Sequence, residues 1–133
     1  MKKYFKNILF EITIITLVVF LTGCSSGIVK NADIDIQNTG THEKKDINRV
    51  INKLKNEFVD FKHCELLNIK YDSKKQGIKE WDEKYYDIIV LEFDFKALKN
   101  TEVFLKNNTL RYEAYYGKKY ETSSWKLIDM GQG

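Results

Sequence analysis

Two hydrophobic periodicities meet near residue 62, and their junction restricts the chain to a helix followed by a sheet. Ile47, Val50, Ile51, Leu54, Phe58 and Phe61 recur at steps of three and four. That spacing lays one apolar stripe along a helix of about five turns. Lys45, Asn52, Lys53, Lys55 and Asn56 fall mostly on its wet side. Thr41 is placed to cap the helix, and Glu43 in the first turn suits the positive end of the dipole.

From Cys64 onward the period is two. Leu67, Ile69 and Tyr71 share one strand face, and residues 72–77 read as a turn. Residues 87–95 give the strongest strand, with Ile89, Leu91, Phe93 and Phe95 on one face. Ile88 and Val90 begin the other face, which Glu92 and Asp94 then occupy. Residues 99–108 read as a loop. Leu110, Tyr112, Ala114 and Tyr116 alternate with Arg111, Glu113 and Tyr115, a hairpin turn follows at Gly117, and Trp125 and Leu127 face together on a last strand. The expected fold is α+β: one N-terminal amphipathic helix on a curved, mostly antiparallel sheet of about four strands.

The first 23 residues do not belong to that fold. Lys2, Lys3 and Lys6 form a basic start, residues 12–21 are an apolar run, and Thr22-Gly23-Cys24 follows. This is the layout of a secretory signal. A bilayer span takes about 20 apolar residues, and here the run is ten, with Glu11 at its edge. Leu21-Thr22-Gly23-Cys24 resembles the lipobox of bacterial lipoproteins. That resemblance implies a diacylglyceryl group, with fatty acyl chains such as palmitate, on the Cys24 thiol and cleavage between Gly23 and Cys24. Small side chains suit the entry of the peptide into the protease. The expected organisation is a signal peptide over residues 1–23, a flexible tether over 24–40 and one domain over 41–133. Ile34 and Ile36 alternate within the tether and allow a short pairing segment there. The expected location is the extracytoplasmic face of a cell membrane, by the lipid alone.

Charge and cysteine usage narrow the function. The whole chain carries a formal +3. Removing three lysines and one glutamate with residues 1–23 leaves +1, which argues against a nucleic-acid partner. With Cys24 acylated, Cys64 is the one thiol left, and a lone thiol forms no intramolecular disulfide. His63-Cys64 has no second ligand at metal spacing, so no metal or cofactor is expected and Cys64 reads as a small buried hydrophobe.

No catalytic constellation appears. The leading reading is a binding domain for an unknown protein or small molecule. Tyr112, Tyr116 and Trp125 are candidate contacts, because such rings offer a flat apolar face and a polar tip. The rival is a small pocket enzyme in which Glu92 or Asp94 works as acid or base. Arg111 and Glu113 read as a cross-strand surface pattern.

Phe58-Val59-Asp60-Phe61, Cys64-Glu65-Leu66, Tyr71-Asp72, Trp81, Asp94-Phe95, Trp125-Lys126-Leu127, Gly131 and Gly133 follow one another in an order that resembles a family of small Gram-positive lipoproteins catalogued as a domain of unknown function. The resemblance covers residues 41–133. It departs from the family's pattern at Gln132, where an aromatic often stands. Helix then curved sheet is also similar to cystatin-like and nuclear-transport-factor-two-like cone folds. That likeness implies a sheet wrapped on the helix, often with a pocket, and implies no activity.

Overall fold

The structure, a computed structural model, describes residues 26–77, 80–81 and 83–133. Among these, the chain runs β1 (Asp33–Gln37), α1 (Lys44–Phe58), β2 (Cys64–Asp72), β3 (Asp87–Ala97), β4 (Thr109–Lys118) and β5 (Lys126–Gln132). The strands form one open sheet in sequence order. β1 pairs parallel with β2, and the remaining neighbours are antiparallel. The architecture is α+β, with five strands in a mixed sheet where about four were expected. The helix is second in order, because β1 precedes it.

The extra strand comes from the segment read as a tether. β1, α1 and β2 form a crossover unit: a helix reverses the chain so that the second strand can lie parallel to the first. The docking begins earlier still. Gly27 N–H donates to the Val59 carbonyl at 3.0 Å, Ile28 N–H donates to Cys64 O at 2.9 Å, and Leu66 N–H donates to Ile28 O at 2.8 Å. A Cβ on Gly27 would lie 2.1 Å from the Phe58 carbonyl oxygen. The approach is backbone to backbone, so no side chain can rotate out of the way. Gly27→Ala is therefore expected to cost about 1–3 kcal/mol, read as a lower urea midpoint; an unchanged midpoint would mean that residues 27–28 do not hold this seat in solution.

Ile47, Val50, Ile51, Leu54 and Phe58 are the buried face of α1, as the stripe requires. The N-cap is Glu43 rather than Thr41, and no side chain caps the first turn. The helix stops at Phe58, but Phe61 N–H still donates to Phe58 O, which returns the Phe61 ring to the stripe, stacked 4.8 Å from Phe58. Against this face lie Ile89, Leu91, Phe93 and Phe95 of β3, all fully buried. Ala114 and Tyr116 of β4 are fully buried on the same side.

Two strands depart from simple alternation. In β2 the register with β3 slips between Leu66 and Asn68. The bulge puts Cys64 and Leu66 in the core before it and Ile69 and Tyr71 after it, and leaves Leu67 half-buried. Leu67 therefore does not share a face with Ile69 and Tyr71. In β4–β5 the register slips between Tyr115 and Tyr116. Trp125 lies just before β5 and is buried, whereas Leu127 is 40% exposed, so the two do not face together.

The β2–β3 ladder ends at Lys70 opposite Glu92. Beyond it a side chain continues the pairing. Val90 N–H donates to Gln76 Oε1 at 2.9 Å, and Gln76 Nε2 donates to Val90 O at 3.1 Å and Asp72 O at 3.0 Å. One amide thus satisfies backbone groups that a longer β2 would have met.

Candidate functional site

The sheet face turned away from α1 carries a dense charge network. Register places Glu92 between Lys70 and Glu113, and Asp94 between Asn68 and Arg111. Glu92 directly opposite Glu113 is a repulsive pair, and two cations offset it. Lys75, from the 3₁₀ turn Ser73–Lys75, pairs with Glu92 and lies 3.9 Å from Glu113 Oε1. Arg111 clamps Asp94 through Nε at 2.8 Å and Nη2 at 3.0 Å, with Glu92 Oε1 at 3.5 Å. Asn68 Nδ2 adds a third donor to Asp94 at 3.1 Å.

The guanidinium of Arg111 holds the Asp94 carboxyl below its usual range, against the opposing effect of burial, and Asn68 helps. The hydrogen bond to Glu92 raises the Lys75 ammonium. Both shifts favour the charged forms. An acid–base pair needs the opposite, one carboxyl raised towards neutral pH. The Glu92/Asp94 constellation was expected as the alternative catalytic site. The structure gives it an ion-paired sheet face, and neither carboxylate lines the depressions described below.

Tyr112 and Tyr116, expected as ligand contacts, face the helix. Tyr112 packs edge-on to Phe61, Phe93, Phe95 and Phe104. Tyr116 is fully buried and its hydroxyl donates to Glu57 Oε2 at 2.5 Å. Tyr116 belongs to the core and Tyr112 packs half-buried against it, on the face they share with Leu110 and Ala114. Tyr115 lies on the opposite face, where its hydroxyl donates to Glu113 Oε2 at 2.6 Å and its ring meets Trp81 at 5.2 Å.

Trp125 is placed differently. It lines a depression of about 470 Å³ together with Asp46, Arg49, Lys53 and Lys118. The Lys118 ammonium lies 5.0 Å from the Trp125 ring centre and 5.4 Å from that of Tyr86. A cation within about 6 Å of a ring face is attracted to it, so Lys118 bridges two aromatic surfaces. Tyr86 is 57% exposed and Tyr120 is 71% exposed at the same end of the sheet.

Beside Tyr86 is a second depression, of about 410 Å³, lined by Thr41, His42, Ser73, Gln76 and Asp87 among others. Here the structure joins three residues that the sequence left apart. His42 is buried. Its Nδ1 lies 2.7 Å from the Tyr71 hydroxyl and its Nε2 lies 2.9 Å from Asp87 Oδ1. Tyr71 O–H also reaches Thr39 O at 3.1 Å, and Ile88 N–H donates to Asp87 Oδ1 at 2.8 Å. A carboxylate only accepts, so Nε2 carries a proton. The single Tyr71 hydrogen serves either Thr39 O or Nδ1. The relay ties the turn before α1 to β2 and β3. The partners of His42 lie 29 and 45 residues away on other elements, and no local pattern announces them.

Cys64 is buried, and burial pushes its thiol up. Among the described residues, no three His, Cys, Asp or Glu side chains cluster as a metal site, and no helix is long and apolar enough to cross a membrane. Gly23 and Cys24 lie outside the described residues. No protein-family model matches the chain, and neither a curated protein nor a solved structure matches it. The likeness to a small lipoprotein family rests on residue order alone.

Proposed function

We propose that this chain is an extracytoplasmic lipoprotein, held on a membrane by a diacylglyceryl group on Cys24, whose α+β domain works by binding. The observation that carries the reading is Leu21-Thr22-Gly23-Cys24 directly after an apolar run too short to span. In the modification, the Cys24 sulfur forms a thioether to the diacylglyceryl carbon of a phospholipid. The glyceryl C–O bond to the phosphorylated headgroup breaks, the leaving phosphate ester takes up the thiol proton, and water then cleaves the Gly23–Cys24 amide bond. Two acyl chains anchor stably where one is marginal. Binding is favoured over catalysis because Glu92 is ion-paired with Lys75, while the Arg111 guanidinium clamps Asp94 and holds its carboxyl below the usual range. The binding surface is the end of the sheet that carries Trp125, Lys118 and Tyr86, suited to a ligand with a flat apolar face, such as a sugar ring or a peptide side chain.

Metabolic labelling with an alkyne fatty acid tests the anchor. The full chain expressed in a lipoprotein-processing bacterium should take the label. Cys24→Ala should lose it entirely and keep its leader, seen as a heavier species by mass spectrometry. A labelled Cys24→Ala protein would overturn the assignment.

A further inference from the structure

We propose that the end of the sheet carrying residues 98–108 is a membrane-docking face, with Val103 and Leu105 seated at the boundary between headgroups and acyl chains of an anionic bilayer. This rests on the lipoprotein reading above and adds the orientation of the domain and a second contact with the lipid.

Chain direction fixes which end is near the anchor. Ile28 bridges Glu65 at the start of β2, and Cys64 pairs with Ala97 at the end of β3. The described chain thus enters at the end of the sheet where the 98–108 loop leaves it. Leu98 N–H donates to His63 O at 2.8 Å, and Asn107 N–H donates to Ala97 O at 2.8 Å, which holds both ends of the loop there. Cys24 stands three residue steps before Gly27, with Ser25 and Ser26 between them, and Gly27 is already hydrogen-bonded to Val59. At about 3.3–3.6 Å per residue, the extended reach is roughly 11 Å. A lipid on Cys24 therefore leaves this end of the domain close to the bilayer, and the Trp125 end facing away.

The same end concentrates exposed aliphatic surface. Among the described residues, the exposed large hydrophobics Val103 (75%), Leu105 (65%), Val59 and Ile28 lie here, while the opposite end shows Tyr86, Tyr120 and a single aliphatic, Leu127. The two outermost are held outward by a built loop. Phe104, between them, is pinned against Phe95 at 5.3 Å and Tyr112 at 6.5 Å. Thr101 Oγ1 accepts from the N–H of Val103 at 3.2 Å and of Phe104 at 2.9 Å, and Asn100 Oδ1 accepts from Lys106 N–H at 2.8 Å. With Phe104 inward, its two neighbours point out. Exposed Lys62, Lys99 and Lys106 share this end with exposed Asp60 and Glu102. An apolar tip between lysines complements an anionic membrane surface, which takes apolar groups to a depth of about 5–10 Å.

The test uses the acylated full chain in vesicles of phosphatidylcholine and phosphatidylglycerol. Val103→Cys carries an environment-sensitive fluorophore, and Tyr120→Cys carries the same probe at the far end. Cys64 is buried and stays unlabelled. The expected result is a blue-shifted probe at 103, quenched by shallow nitroxide lipids about two-fold or more beyond the probe at 120. Equal quenching at 103 and 120, on protein whose mass shows the diacylglyceryl group, overturns the docking face and leaves the lipoprotein reading standing. An unmodified Cys24 overturns both. A blue shift at 103 that grows with protein concentration, without lipid quenching, shows a second copy on this face and also overturns the proposal.

Discussion

Phe95→Ala is expected to lower the unfolding free energy by about 3–5 kcal/mol. Phe95 is fully buried, with Phe58, Phe61, Phe93, Phe104 and Tyr112 ring centres 5.0–5.9 Å away. Those neighbours sit on α1, the turn after it, β3, β4 and the 98–108 loop. Each is held by its own backbone, so the cavity cannot close by moving one of them. A domain of this size has about 5–15 kcal/mol in total, and the loss takes a large part of it. Urea denaturation should show a much lower midpoint at an unchanged slope. A loss below about 1 kcal/mol would mean that the rings repack freely.

The second large effect is alkaline unfolding. Burial, then the hydrogen bond to Glu57, raises Tyr116 well above its ordinary value. Burial and Glu113 push Tyr115 up to about 12. Burial, then Asp87 and Asp72, raises Tyr71. In the unfolded chain these phenols lose their protons near pH 10. Above that pH the native state binds more protons than the unfolded state, so stability falls as pH rises. The stabilisation is complete below pH 10 and is lost towards each folded value, for Tyr115 near 12. Each phenol still protonated when folded contributes a slope of about 1.4 kcal/mol per pH unit, and three contribute about 4. Urea titrations from about pH 8 to about pH 11, which bracket the ionisation of unfolded phenols, should show stability level at first and then dropping steeply. Tyr116→Phe costs about 1.5–3 kcal/mol near neutrality, since it removes a hydrogen bond to a carboxylate. It should also flatten the alkaline limb by about 1.4 kcal/mol per pH unit. An equally steep limb in Tyr116→Phe would rule out this phenol as a source. On the acid side Asp94 works in the other sense. Its depressed carboxyl stabilises the fold above its unfolded value, and that contribution fades as pH falls through the folded one.

How far the sequence speaks depends on whether an interaction repeats along the chain. The stripe from Ile47 to Phe58 was legible because one helix face meets one sheet, and every contact recurs at the helical step. Ile89 to Phe95 was legible for the same reason at period two. β1 was only half visible: Ile34 and Ile36 alternate, but their partner strand lies beyond a helix. The bulge at Leu67 has no local marker, and it reverses which leucine is inside. At the candidate site, the shared face of Glu92 and Asp94 was readable, whereas the Lys75 that neutralises one of them arrives from a turn 17 residues away. The face of Tyr112 and Tyr116 was readable too; that α1 covers it depends on the packing of layers, not on local spacing.

The parallel run of β1 beside β2 has a mechanical consequence. The chain enters at Ile28, near the start of β2, and passes along its edge towards Gln37 at the end. Were a lipid to hold Cys24 and a partner the opposite end, as proposed above, tension would be directed along the strand axis. Five register pairs of the β1–β2 ladder then share the load at once in shear, where a perpendicular pull would part them one by one. A domain suspended in this way would meet a pull with all five pairs together rather than one after another.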